Sequence, residues 1–366
     1  MKSNYRYIVK AFMAMAVIAG TTSCDDFLDR EPMSSISPET YYSTAAQLEA
    51  NLNDEYPNVL PSFGQWTYGI FGEDKGTDNQ IEVNANDRYT QDRWKVPHSE
   101  SDNWKFERIY RINFFLSEAL PKFGEDMSGS QNTISGSVAT IKHYIGEMYF
   151  LRAYEYFKKL QLFGDFPIID QPLADEMEAL REASKRFPRN EVARFIISDL
   201  DKAYAYMSDV DMATTRINKD AAMLVKSRVA LFEATWLQNF KGTAFVPGGE
   251  GWPGASLHNN YQYPSGNLDN EVKYFLEQAV EASKLVADKY KGNLTENTGV
   301  LQQSADDPSN PYFDMFAQED LSDVKEVLLW RQYARGLSTH NINAAAGRGN
   351  YRIGLTRGFV QNFLMK

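Results

Sequence analysis

Apolar residues return at steps of three and four along several long stretches of this chain, and each such stretch predicts a helix. The longest begins at Val138, Ile141 and Ile145 and continues through Met148, Leu151, Arg152 and Tyr156. Gly164, Asp165 and Pro167 then stop it, so the chain leaves in extended form through Phe166, Ile168 and Ile169. Arg152 reads as a core arginine satisfied by a nearby carboxylate. Upstream, Thr44 and Gln47 have capping-box spacing and Leu48, Leu52 and Tyr56 share a face, with Pro57 and Pro61 read as the end. Trp104, Ile109, Ile112, Phe115 and Ala119 predict another helix, capped by Ser101 or Asp102 and closed at Pro121. Downstream, Asn190 reads as the cap for Val192, Ile196, Leu200, Ala203 and Met207, and Asn218 opens a stripe of Ala222, Val225, Val229, Phe232 and Trp236. The rhythm returns at Val272, Phe275, Ala279, Val286 and Tyr290. The short apolar run 326–333, EVLLWRQY, reads as a strand. This succession predicts a mainly α fold, a right-handed array of helical pairs with long irregular loops and a few short strands.

Two stretches break the pattern. In residues 62–97, Gly64, Gly69, Gly72 and Gly76 interrupt the backbone while Trp66, Tyr68, Phe71, Tyr89 and Trp94 alternate with Asp74, Asp78, Asn79, Asn84, Asn86, Asp87 and Arg88. Residues 241–270 repeat the mixture with Gly248, Gly249, Gly251, Trp252, Gly254, His258, Asn260, Tyr261 and Tyr263. Loops of that length in a compact domain are functional or disordered, and their aromatic content argues against disorder.

Composition narrows the class. The chain has 366 residues, 43% hydrophobic and 24% charged, which is ordinary for a globular protein large enough for a sizeable core. Its net charge of -11 argues against a nucleic-acid partner, since phosphate backbones are held by excess Lys and Arg. Residues 1–23 carry Lys2, Arg6 and Lys10, an uncharged run from Ala11 to Gly20, and the small residues Thr21, Thr22 and Ser23, the three zones of an export signal. Cys24 is the only cysteine, which excludes an internal disulfide, and its position after the small residues marks it as a lipidation site of the bacterial lipoprotein kind. Residues 24–43 read as the lipidated tether, 44–335 as the helical body carrying both loops, and 336–366 as the start of a further portion, because the final GFVQNFLMK stops without cap or polar tail, as in a truncated sequence.

Several landmarks, taken in order, resemble the SusD/RagB family of outer-membrane nutrient-binding lipoproteins. They are the signal with Cys24 and DDFLDREP; Trp104 to Asn113 (WKFERIYRIN); Gly146 to Ala153 (GEMYFLRA) with Phe163 to Pro167 (FGDFP); Ile197 to Ala203 (ISDLDKA); Arg216 to Trp236; and Glu326 to Leu329 (EVLL). The resemblance implies tetratricopeptide-like helix pairs and a lipid anchor at the outer-membrane surface. It also implies an irregular ligand-binding portion and a SusC-like TonB-dependent transporter as partner. The ligand expected from the loop chemistry is an oligosaccharide, bound without cofactor or catalysis.

Sugars present flat C–H patches ringed by hydroxyls, which aromatic faces and polar side chains match. On that chemistry Trp66, Trp94 and Trp252 are the candidate stacking residues, with Tyr68, Tyr261 and Tyr263 next. Asp74, Asp78, Asn79 and Asn260 are the candidate hydrogen-bonding residues. The competing reading for each aromatic is a plug holding its loop to the helical body. Support for catalysis is slight: His98, His143, His258 and His340 lack zinc-protease spacing, and no G-x-S-x-G turn occurs. The alternatives are a secreted all-α glycoside hydrolase using loop carboxylates such as Asp74, Asp78, Asp87 and Asp92, and a helical scaffold that contacts only protein. Asp306, Asp307, Asn310 and Asp314 lack the ligand positions of a calcium loop and read as a solvated turn.

Overall fold

The long central helix forms as its spacing predicts and organises what surrounds it. The computed structural model describes residues 41–61, 63, 72, 74–82, 103–124, 126–208, 212–300, 304, 306–334, 339 and 353–363. The leader, Cys24, most of the tether, and Trp66, Tyr68 and Trp94 lie outside them. In chain order the helices are α1 (Ala45–Val59), α2 (Glu107–Phe123), α3 (Val138–Phe163), α4 (Met177–Ala183), α5 (Arg189–Tyr206), α6 (Lys219–Asn239), α7 (Leu268–Tyr290), α8 (Pro311–Met315) and α9 (Arg357–Gln361). The strands β1 (Gln80–Glu82) and β2 (Ile353–Leu355) pair antiparallel, with Ile81 opposite Gly354. The mainly helical class is therefore as expected.

Helix α3 is buried on nearly every side from Ile141 to Leu160, the behaviour of a helix at the centre of a bundle. It packs against α1, α2 and α5; α5 packs on α6, and α6 on α7. One continuous core joins Leu48 and Leu52 of α1, Ile112 and Phe115 of α2, Ile145 and Leu151 of α3, Ile196 and Leu200 of α5, Val229 of α6 and Phe275 of α7. Small residues at Ala222, Ala230 and Ala234 keep α6 slim where it is fully buried.

Local signals set most boundaries. Thr44 and Gln47 close a reciprocal capping box, Ser137 caps α3, and Asn218 accepts from Ala221 N at 3.0 Å. At the other end of α3, Gly164 takes φ 68, which a glycine adopts without the cost another residue meets. Arg152 forms a bidentate pair with Asp199 at 2.6 and 2.8 Å, and its third nitrogen donates to Asn113 Oδ1 and the Asp170 carbonyl. Tyr156 OH donates to the Ile169 carbonyl at 3.0 Å and accepts from Ile169 N, and Asn113 Nδ2 donates to the same carbonyl at 2.9 Å, so the extended exit after Gly164 is fastened to α3 and α2.

Four expectations are corrected. Pro57 and Pro121 do not end α1 and α2, which run on to Val59 and Phe123; a proline in the last turn forfeits one hydrogen bond while the buried Val59 and Phe123 still gain by packing. Trp104 lies before α2 and packs edge-on against Phe163 and Phe166. Asn190 lies inside α5, whose cap position is Pro188; its side chain points to a loop instead. The run 326–333 is irregular and forms no strand: Asn218 Nδ2 donates to the Leu328 carbonyl at 2.6 Å, Trp330 Nε1 to Thr214 Oγ1 at 2.8 Å and Trp330 N to the Thr214 carbonyl at 3.2 Å, so the segment leading into α6 supplies isolated contacts in place of a partner strand.

Candidate functional site

The segment between α6 and α7 is stiffer than its glycine content suggests. Residues Phe240, Thr243, Val246, Gly249, Trp252 and Ala255 are linked in a row, each amide after that of Phe240 donating to the carbonyl three residues back, at 2.9 to 3.3 Å. A short 3₁₀ turn, Pro253–Ser256, ends the row, and Asn267 caps α7, so the irregular stretch is shorter than the expected 241–270. Stacked turns of this kind give a loop a fixed shape on which side chains can be presented.

The row is pinned at Trp252. Its indole is 5% exposed, and Nε1 donates to Asp165 Oδ2 at 2.7 Å. Gly254 lies against the ring: a Cβ there would fall 2.2 Å from Trp252 Cζ2, so only glycine permits the contact. His258 and Tyr261 cover the indole with ring centroids 6.0 and 5.6 Å away. As placed, Trp252 plugs the loop onto the body and offers no open face to a ligand.

Asp165 stands at a buried charge centre. Its other oxygen accepts from Arg189 N at 2.9 Å at the start of α5, and burial raises its pKa above the usual carboxylate value despite both hydrogen bonds. Arg189 forms a bidentate pair with Glu233, Nε to Oε1 at 3.0 Å and Nη2 to Oε2 at 2.9 Å, and its guanidinium lies 4.1 Å from the Trp236 ring centre. Glu233 is fully buried, and burial raises its pKa although Arg189 opposes the shift. Trp236 Nε1 in turn donates to the Phe245 carbonyl at 3.1 Å, so the same centre holds both sides of the loop.

A second pair fastens the far end. Arg194 donates to Glu271 at 2.7 and 2.9 Å and to Ser265 Oγ at 2.7 Å, while Ser265 N donates to Glu271 Oε2 at 3.1 Å. Burial pushes the Glu271 pKa up, but hydrogen bonds from Arg194, Asn190 and Ser265 outweigh it and leave the group below its ordinary value. Asn190 Nδ2 donates to Tyr261 OH at 2.9 Å and to Glu271 Oε1 at 3.0 Å. Tyr263 OH donates to the Pro247 carbonyl at 2.5 Å, and burial raises the pKa of both tyrosines. His258 Nε2 faces the Arg186 carbonyl at 2.8 Å. Trp252, Tyr261 and Tyr263 are thus brought into one cluster, half-buried at its outer edge, with Asn260 exposed beside it at φ 55.

Of the first irregular stretch the structure describes a tight turn. Asn79 Nδ2 donates to Asp74 Oδ2 at 3.3 Å and Thr77 Oγ1 to the Asp74 carbonyl at 2.6 Å. Asp74 and Asp78 are exposed. The turn is held by the segment at 353–356: Thr356 N donates to the Asn79 carbonyl at 2.9 Å and Thr356 Oγ1 to that of Asp78, beside the β1–β2 pairing. Phe245, 62% exposed on the second loop, joins the candidate residues although a phenylalanine in sequence reads as core, since only its exposure distinguishes it. Among the described residues no three His, Cys, Asp or Glu side chains are grouped to hold a metal, and no helix is long and apolar enough to cross a membrane. Asn310 and Asp314 are engaged within their own turn, accepting from Tyr312 N and Ser309 Oγ.

Comparison with known proteins places these features in a family setting. A SusD-like family profile, described as starch-binding and associating with the outer membrane, matches residues 26–231, more than half of the chain. SusD-like protein P2 of Formosa agariphila is 25% identical over 66% of this chain and 46% of that protein, and SusD-like protein P25 of the same organism is 25% identical over 58% and 41%. The chain spans less than half the length of these curated relatives. Among solved structures, a SusD-like carbohydrate binding protein from Bacteroides fragilis aligns at 15% identity and TM-score 0.44, covering 70% of this chain and 42% of that one.

Proposed function

This chain belongs to the SusD-like family, and we propose from that premise that it captures oligosaccharide at the cell surface and delivers it to a SusC-like TonB-dependent transporter, tethered to the outer membrane through a lipid on Cys24. The observation that carries the binding role is the stiffened loop after α6, fixed on buried ion pairs while Asn260 and Phe245 are exposed and Tyr261 is half-buried at its surface. A glycan site needs flat apolar faces and polar groups held in advance of binding, because a prearranged surface avoids the ordering cost on association. In this reading Tyr261, Tyr263 and Asn260 contribute from the second loop. Asp74, Asp78 and Asn79 contribute from the first, together with Trp66, Tyr68 and Trp94 of the same stretch. Trp252 has a different part, as the pin that holds the surface in shape.

The first experiment is calorimetric titration of the purified protein with a panel of soluble glucans, starch fragments first, alongside an assay for released reducing ends. Saturable binding without release is the expected result. Release of reducing ends would favour a hydrolase, and absence of binding across the panel would overturn the carrier reading.

A further inference from the structure

We propose that Asp165 is the positioning residue of the loop between α6 and α7, a latch that holds Trp252 and thereby sets the pose in which Phe245, Asn260 and Tyr261 meet a glycan. The inference rests on the glycan-binding reading for its functional half and on geometry alone for the latch.

Asp165 is fixed without help from the loop. It follows Gly164 at the exit of α3, and its Oδ1 accepts from Arg189 N, the first residue of a helix whose own cap position, Pro188, supplies no side-chain acceptor. Oδ2 is left to take the Trp252 indole N–H. That one bond ties down more than one side chain. Trp252 is a link in the row of turns from Phe240 to Ala255, and its ring is boxed by Gly254, His258 and Tyr261, so moving the indole moves the row and the cluster together. The other side of the loop reaches the same place through Phe245, Trp236 and Arg189. A carboxylate is also a costly choice here, since burial works against its charge; a neutral side chain would satisfy simple packing, whereas two N–H donors converging from different elements call for an acceptor with two oxygens.

The test uses ¹⁵N-indole-labelled protein, the full chain, and the glycan found to bind in the titration. Trp252→Phe keeps an aromatic plug and removes the donor, which assigns the Trp252 resonance among the six tryptophans. In D165A the solvent exchange of that indole proton accelerates about tenfold or more, and amide protection falls across 243–255 while that of the α3 interior is unchanged. D165A and W252F each weaken glycan binding about tenfold or more, and the double variant loses no more than either alone, as two residues acting through one bond must. D165N keeps one acceptor oxygen and restores part of the indole protection. Unchanged indole exchange in D165A or additive losses in the double variant would each overturn the latch. If the wild-type protein binds no glycan while D165A still frees the indole, the binding reading fails and the latch stands.

Discussion

The two irregular stretches use similar residues and are held in different ways. The turn at 74–82 hangs on a two-stranded pairing and on Thr356, partners far along the chain, while its own polar groups bond to one another. The loop between α6 and α7 hangs on the helical body itself, through Asp165, Arg189, Glu233, Asn190, Arg194 and Glu271. Among the described residues the two sets of anchors have no member in common. Glycine and aromatic content therefore says little about how firmly a loop is held; what decides it is whether buried side chains of the body reach into it. The helix-anchored loop exacts ordering cost when the core forms, and the strand-anchored turn only when segments distant in sequence meet.

The sharpest way to break this contrast is at the buried pair. Glu233→Ala leaves Arg189 buried without its carboxylate, and the loss of one partner from such a pair typically costs about 3–5 kcal/mol. Urea denaturation followed by far-UV circular dichroism measures it, and the contrast requires that protection of the second loop fall with the global stability. Gly254→Ala acts more locally. The added Cβ drives the Trp252 ring from its place, an overpacking cost of roughly 1–3 kcal/mol, and hydrogen exchange at 243–263 should rise while 74–82 stays as it was. Smaller still, Thr356→Ala removes the hydroxyl that donates to the Asp78 carbonyl and caps α9, worth about 1 kcal/mol. Exchange at 74–82 should then rise alone. Equal responses of both stretches to either variant would mean that they form one unit.

How much of this was readable in the sequence depends on how local the cause is. The Thr44 box, the Asn218 cap and the Gly164 stop are decided by neighbours within four residues, and all three hold. Arg152 was expected to meet a carboxylate, and Asp199 meets it, though nothing in the spacing named which one. The misread elements are those with distant causes. Asn190 has the composition of a cap but is drawn to Tyr261 and Glu271, and the run at 326–333 has the composition of a strand but is satisfied by Asn218 and Thr214. Trp252 has the neighbourhood of a stacking residue, because aromatic and glycine neighbours look alike whether an indole faces solvent or a half-buried aspartate. The partner that decides the matter, Asp165, lies 87 residues away and read simply as a turn former.

The finest distinction between the two loops is their response to pH, because the anchors of the second loop include carboxylates shifted in opposite directions. Glu271 titrates below its ordinary value of 4.5, so the folded state binds its proton less readily than the unfolded chain; its contribution is present above that value and is lost as pH falls through the lowered pKa. Asp165 and Glu233 titrate above theirs, so their contribution is greatest in acid and declines as pH rises through the raised values. In the wild-type protein the two trends oppose each other and flatten the stability of this region across mildly acidic pH. Removing one trend exposes the other. Urea midpoints measured from pH 3 to 7 should fall less steeply on the acid side in Glu271→Gln than in wild type, and should decline less toward neutrality in Glu233→Gln. If both variants keep the wild-type profile and merely lose stability evenly, these carboxylates hold the loop by packing, and the electrostatic half of the contrast is wrong.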